Sequence, residues 1–402
     1  NEYLRALSQQ FKTPKANNAV VLHKWLAEEL INATSAVPKW VHLCLSAVTV
    51  LTLIKKQAET PEGTPDVRPI GMGNNWKRAV LSCCSRKYAS KIGASYNGAQ
   101  MAVGVKDGLA KLLFVVKASL EQNPDFVAVK LDLKNAYNSA QRKAILKAIL
   151  KSPTTRNFGP YFHATLSAKG RIFGIHSETG EIIHSEEGVI QGSPESTFAF
   201  TQVIQEDVEV LRATVQEAGG EVIFCSDDGY AIGPADVVFA ALAKFSTDLK
   251  ERTGLQLVEQ KCEAYSLKPE TLQNFFQENE QFSNYSIGAL TGVDTETAKQ
   301  GEGFGIIVVG VPIGDNTFVQ TKLSEKVDKI ERDAINLTSI LCNGSSGSDI
   351  QLCQALLIWC HYPRFDYWLN NVKPALIYDS AKRVDKILLK VYDAITQQNI
   401  ST

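Results

Sequence analysis

The stretch that decides the fold runs from Glu221 to Gly233, EVIFCSDDGYAIG, with Phe224-Cys225-Ser226-Asp227-Asp228-Gly229-Tyr230 at its centre. Apolar residues on both sides of Ser226-Asp227-Asp228-Gly229 predict a tight β-hairpin with two adjacent carboxylates at its tip. Such a pair repels itself by about 4 kcal/mol for charges ~4 Å apart at an effective dielectric of ~20. Solvent can offset that on an ordinary surface turn. A divalent cation offsets it where a third carboxylate converges, and Phe126 to Leu133 (FVAVKLDL) supplies one: a buried-strand pattern with Asp132 at its C-terminal end. Carboxylate oxygens suit Mg²⁺, and three carboxylates with two Mg²⁺ ions, or Mn²⁺ in their place, make a phosphoryl-transfer site. On spacing alone, two unrelated loop aspartates are the plain alternative.

Working outward, the first fifty-odd residues read as helical. Pro61-Glu62-Gly63-Thr64-Pro65-Asp66 then turns between two short strands, Leu51-Thr52-Leu53-Ile54 and Val67-Arg68-Pro69-Ile70. After Asp132 the chain hands over at Asn138-Ser139 to an amphipathic helix carrying Ile145, Leu146, Ile149 and Leu150, stopped by Pro153. Arg171 to Ile175 and Glu181 to His184 read as a hairpin leading into the glycine-containing loop Gly188-Val189-Ile190-Gln191-Gly192-Ser193-Pro194, which opens a helix. Pro234 starts a long helix ended by Gly254, and a strand Leu255–Val258 leads to Lys261. The weakly patterned segment from Leu267 to Gly303 reads as a loop insertion. From Thr321 on, Leu323, Val327, Ile330, Ala334 and Leu337 step by four and three, a second helix lies between Ser348 and Cys360, and a third carries Val384, Ile387, Val391 and Ala394.

The 402 residues exceed one small module, and 44% hydrophobic with 21% charged residues exclude disordered, collagenous and membrane chains. The net charge of −1 says nothing of nucleic acid, but Lys55 to Lys91 holds eight basic residues against three acidic ones. The eight cysteines have no framework spacing and read as reduced, buried structural thiols. Cys83-Cys84 and Cys353 with Cys360-His361 lack the CxxC pair of a zinc site. The longest apolar stretch, Trp40 to Ile54, is broken by His42 and is shorter than the ~18 to 20 residues of a span, so no membrane partner is expected. The chain starts at Asn1 without a signal-like segment and reads as a fragment, silent on targeting.

In seven blocks, in order, the chain resembles the reverse transcriptase domain of non-LTR (LINE-like) retrotransposons. Val67 to Gly73 resembles the fingers segment and Gln100 to Gly108 (QMAVGVKDG) the glycine-containing segment after it. Leu131 to Ser139 (LDLKNAYNS) is similar to the first palm motif, Gly188 to Ser196 (GVIQGSPES) to the glutamine-glycine loop, and Phe224 to Tyr230 to the paired-aspartate hairpin. Gly254-Leu255 with Lys261 resembles the fourth palm motif, and Val309 to Gly314 the primer-gripping segment. The resemblance implies an α+β right-hand polymerase with an antiparallel palm sheet: an N-terminal helical extension over 1–54, fingers over 55–131, a palm over 132–316 with insertions near 153–187 and 267–303, and a helical thumb over 317–402.

The activity it implies is RNA-directed DNA synthesis from a 3′-hydroxyl DNA primer on an RNA template with dNTPs and Mg²⁺, within a retrotransposon polyprotein. Asp132 and Asp227 would hold the metals with Asp228 beside them. Tyr137, five positions after Asp132, would pack under the incoming sugar and exclude a 2′-hydroxyl. Arg68, with Lys56, would bind the triphosphate. Gln191 and Gly192 would let the backbone approach template and nucleotide, and Lys261 would protonate the leaving pyrophosphate. Two departures stand out. Cys225 replaces an aromatic residue, and Glu195 replaces a leucine, which places an extra negative charge near a polyanion-binding groove. Alternative readings are an RNA-templated RNA polymerase, opposed by Tyr137, and a catalytically retired RNA-binding protein, opposed by the complete aspartate set. An endonuclease or RNase H would lie outside this fragment. The reduced cysteines point to an intracellular protein, and a nuclear location rests on the resemblance alone.

Overall fold

The computed structural model describes residues 48–56, 66–166, 172–176, 182–287, 303–343 and 347–396, with isolated helical positions between 24 and 32. In chain order the elements begin with β1 (Val48–Lys56), β2 (Asp66–Gly73), α1 (Asn75–Ala94), α2 (Gly108–Gln122) and β3 (Val127–Leu131). They continue with α3 (Ala136–Ser139), α4 (Arg142–Lys151), α5 (Gly159–Leu166), β4 (Ile172–His176), β5 (Ile182–Ser185) and α6 (Ser196–Glu217). Then come β6 (Glu221–Cys225), β7 (Asp228–Gly233), α7 (Ala235–Thr253), β8 (Glu263–Ser266), α8 (Pro269–Glu278) and β9 (Ser286–Ile287). The last are β10 (Gly305–Val308), β11 (Val311–Gly314), α9 (Asn316–Asn343), α10 (Gly347–Leu356) and α11 (Pro374–Thr396). The chain divides into two compact units: Asn1–Gly108 with Asp132–Gly229 and Phe239–Val258, and Leu109–Leu131 with Tyr230–Val238 and Glu259–Thr402.

The first unit contains a four-stranded sheet in the order β2-β1-β4-β5. β1 pairs antiparallel with β2, Leu51 opposite Ile70 and Leu53 opposite Arg68, and parallel with β4; β4 pairs antiparallel with β5. The two predicted strands and the second hairpin are therefore present. β1 starts earlier than the helical reading of the first fifty-odd residues allowed, because Val48 and Val50 are buried while Thr49 is exposed, the period of a strand. The turn over 57–65 lies outside the described residues. At the centre of this unit α6 packs on α4 and β6, and its residues Phe200, Val203, Ile204, Leu211 and Val215 are buried. Asp207 on α6, 6% exposed at its side chain, is ion-paired with Arg252 near the end of α7. Gly254 follows α7 at φ 78, the left-handed stop its sequence position predicts. The predicted strand Leu255–Val258 is reduced to one antiparallel bridge, Leu257 to Leu133, flanked by the amide of Val258 donating to the Asp132 carbonyl at 2.9 Å.

In the second unit the strand order runs β7-β3-β8-β9, with β8 antiparallel to β3 (Val127 opposite Ser266) and parallel to β9. Val127, Ala128 and Val129 are all buried, so β3 is covered on both faces and shows a run rather than an alternation. The segment predicted as a loop insertion contains α8, with Pro269 in its first turn and the rings of Phe275 and Phe282 stacked at 5.8 Å; residues 288–302 lie outside the described set. A hairpin of β10 and β11 precedes α9. α9 and α11 pack together, and the residues stepping by four and three are buried at Leu323, Val327, Ile330, Ala334 and Leu337 on α9 and at Val384, Ile387 and Val391 on α11, whereas Ala394, at the end of α11, is exposed. α10 continues into a π-helical turn, Leu357–His361.

The architecture is thus mixed helix and sheet, mostly antiparallel among the described residues; β1 and β4 pair in parallel in the first sheet, and in the sheet that holds β3, where an antiparallel palm sheet was expected, β8 and β9 pair in parallel. Among the described residues no helix is long and apolar enough to cross a membrane. The six described cysteines are free thiols, but Cys83 and Cys360 are exposed rather than buried.

Candidate active site

The paired aspartates occupy the predicted turn. β6 ends at Cys225, Ser226 and Asp227 make the turn, and Asp228 opens β7. Ser226 has φ 64, a left-handed conformation uncommon for a side-chain-bearing residue. It is held there by Gln100, whose Oε1 accepts from the Ser226 amide at 2.7 Å and whose Nε2 donates to the Ser226 carbonyl at 3.2 Å. Gln100 is 1% exposed and forms a bridge to Phe224 beside the bonds Phe224 N to Ala99 O (2.8 Å) and Met101 N to Phe224 O (2.7 Å). The Gln100 block therefore splints the last residues of β6. Asp227 is half-buried and Asp228 exposed. Gly229 is required by space: a Cβ there would lie 2.3 Å from the Phe224 ring.

Asp132 follows β3 directly and is half-buried. The chain then turns through Asn135, at φ 47, into α3, which presents Tyr137. The Tyr137 hydroxyl lies 2.5 Å from Ser226 Oγ and donates to Thr197 Oγ1 at 3.4 Å, while its ring stacks on Phe200 at 4.8 Å. Burial is the main reason its phenol titrates above the usual range; the hydroxyl bonds to Ser226 and Thr197 work against that, and the charge of Asp227 adds to it. The segment that begins at Asp132 is thereby joined to the turn that carries Asp227.

The glycine-containing loop is fastened to both neighbours. Val189 N donates to the Tyr137 carbonyl at 2.8 Å and Gly188 N to the Ala140 carbonyl at 2.9 Å. Buried Arg142 donates from Nε to Gly188 O at 3.1 Å. On its other side Gly71 N of β2 donates to the Gln191 carbonyl at 2.9 Å. Gly192 has φ 106, and a Cβ there would sit 3.1 Å from Gly71 O. Gln191 is half-buried and Gly192 exposed, and β2 also bears exposed Arg68. The side chain of Lys56 lies outside the described residues. Lys261 is exposed at the end of a one-turn 3₁₀ segment of the second unit.

Glu195 does not add charge to an open groove. It is 7% exposed, accepts from the Tyr161 hydroxyl at 2.8 Å and lies in the field of Lys77, itself 4% exposed and 5.8 Å from the Tyr161 ring centre. Burial lowers the Lys77 ammonium and Glu195 partly restores it. Cys225 sits in a negative field: burial first, then Asp228 and Asp227, push its thiol up to about 11.

Asp132 and Asp227 have the hard oxygen donors that Mg²⁺ takes. Among the described residues no group of three or more His, Cys, Asp or Glu is gathered to hold a metal ion. Mg²⁺ in phosphoryl-transfer sites is bound by one or two carboxylates, with waters and substrate phosphates completing its shell, so a pair of aspartates fits it. Gln100, Ser226 and Arg142 were not singled out individually from the sequence. The first two fall inside quoted blocks, and their roles depend on partners about a hundred residues away.

Fold and site define a chain of mixed helix and sheet in which the carboxylate turn, the segment that begins at Asp132 after β3, and the glycine-containing loop are bonded to one another through Tyr137. Over 177 residues, 42% of this chain, it is 28% identical to the retrotransposable element SLACS 132 kDa protein of Trypanosoma brucei gambiense, of which the chain spans 14%. That likeness agrees with the retrotransposon resemblance carried by the motifs. No protein-family model matches the chain. Among solved structures it is similar to apo telomerase from Candida tropicalis, with TM-score 0.47 and 10% identity over 89% of this chain and 60% of that one. It is also similar to telomerase from Candida albicans in complex with a TWJ fragment of telomeric RNA, with TM-score 0.44 and 12% identity over 87% and 63% of the two chains.

Proposed function

We propose that this chain is the RNA-directed DNA polymerase part of a retrotransposon protein, extending the 3′-hydroxyl of a DNA primer on an RNA template with dNTPs. The observation that carries the proposal is the 2.5 Å contact between Tyr137 and Ser226, which brings the segment beginning at Asp132 to the turn presenting Asp227. Asp132 and Asp227 would hold Mg²⁺, with exposed Asp228 beside them. When bound, the metal supplies charge stabilisation at the attacking and leaving oxygens.

The chain's own residues bind and orient. Arg68 offers a guanidinium fork to the triphosphate, with Lys56 a weaker partner. The Tyr137 ring, fixed on Phe200, lies under the sugar and leaves no room for a 2′-hydroxyl. The Gln191-Gly192 backbone lets the nucleotide and template approach closely. In this reading β1, β2 and α1 belong to the fingers, the strands around Asp132 and Asp227 to the palm, and α9, α10 and α11 to a thumb that grips the duplex by its backbone. The reading also places the protein inside the cell, with the nucleus the family's location.

Primer extension on an RNA template, with dNTPs and rNTPs supplied separately, tests it. Extension with dNTPs is expected. Extension with rNTPs alone indicates an RNA polymerase instead, and RNA binding without any extension indicates a retired polymerase used as an RNA-binding module.

A further inference from the structure

We infer that Ser226 is a positioning residue for sugar selection: its hydroxyl fixes the ring of Tyr137, and Gln100 in turn fixes Ser226. The inference rests on the polymerase reading above. Among the described residues, three side-chain contacts locate the Tyr137 ring. Stacking on Phe200 at 4.8 Å and 20° sets the plane of the ring but leaves it free to slide in that plane. The bond to Thr197, at 3.4 Å, is long. The 2.5 Å contact with Ser226 Oγ is the short one, and it fixes how far the ring reaches along the stack.

Ser226 can make that contact because of its backbone. At φ 64 its side chain leaves the turn in a direction that an extended residue at the end of β6 would not give. A left-handed serine persists only where its surroundings hold it. Both of its backbone polar groups are taken by the one carboxamide of Gln100, buried and splinted against Phe224. The order of dependence is therefore Gln100, Ser226, Tyr137. Asp227 follows Ser226 directly, so the residue that sets the gate also sets the start of the carboxylate turn.

The test is the ratio of kcat/KM for a dNTP over the matching rNTP in Ser226→Ala, Ser226→Gly and Tyr137→Phe. Ser226→Gly keeps the left-handed backbone without the hydroxyl, which separates a hydroxyl effect from a collapse of the turn. All three variants are expected to lose about fivefold in the ratio, the size of one neutral hydrogen bond, and Tyr137→Phe with Ser226→Ala to lose no more than either alone. An unchanged ratio in Ser226→Gly overturns the inference. Should the wild-type chain incorporate no nucleotide at all, the polymerase reading falls. The Tyr137→Phe and Ser226→Ala cycle in thermal unfolding then still reads the contact: coupling between the two sites upholds the positioning of Tyr137 by Ser226, and additive effects refute it.

Discussion

Gly71 donates its amide to the carbonyl of Gln191 at 2.9 Å, and this bond fastens the strand that bears Arg68 to the loop over the proposed nucleotide site. The fit is close because Gly192 follows at φ 106 with Gly71 O only 3.1 Å from where its Cβ would be. Gly192→Ala is expected to cost about 1–3 kcal/mol in stability through backbone strain, read by chemical denaturation, and to raise KM for dNTPs. Wild-type stability in Gly192→Ala would show that the loop does not need the left-handed conformation.

The buried cluster of Lys77, Tyr161 and Glu195 carries a second prediction. Glu195→Leu leaves Lys77 buried without its counter-charge, and a loss of about 3–5 kcal/mol is expected. Pairing it with Lys77→Met should recover most of that loss. Burial lowers the folded-state Lys77 value from 10.5, so between that lowered value and 10.5 the unfolded chain holds a proton the folded chain has released. Stability should therefore rise with pH through that window, and Lys77→Met should flatten the rise.

Cys225 yields a prediction by thiol chemistry. With its value pushed up to about 11 from 9.0, its thiolate fraction near pH 8 falls about 100-fold, and alkylation should slow in proportion. Mass spectrometry of iodoacetamide-treated protein should find exposed Cys83 and Cys360 labelled first. Asp228→Asn should speed labelling at Cys225; an unchanged rate would mean the carboxylates do not set its field.

Much of this was legible in the sequence where the signal is local. The aspartate turn, the strand leading to Asp132 and the helix carrying Leu323, Val327 and Ile330 follow from alternation, turn residues and helical spacing. Contacts between distant residues were not legible. Gln100 and Ser226 are 126 positions apart, and Tyr137 and Ser226 are 89 apart, so no window of sequence contains either pair. Glu195 looked like an intruding charge because its partners, Lys77 and Tyr161, come from α1 and α5. The helix α8 was hidden by polar composition, although Pro269 at its first turn was a start signal. Leu255–Val258 had a strand's composition but found only one bridging partner, and the ladder formed at Glu263–Ser266 instead.

The most direct test of the central claim is single-nucleotide incorporation on a primed RNA template with Mg²⁺ by the wild-type chain, Asp132→Asn and Asp227→Asn, with circular dichroism confirming that each is folded. Incorporation of dNTPs by wild type and a loss of at least ~10³-fold in each folded variant is the predicted result, since each aspartate is asked to supply several kcal/mol of charge organisation. Wild-type rates in either variant would contradict the account.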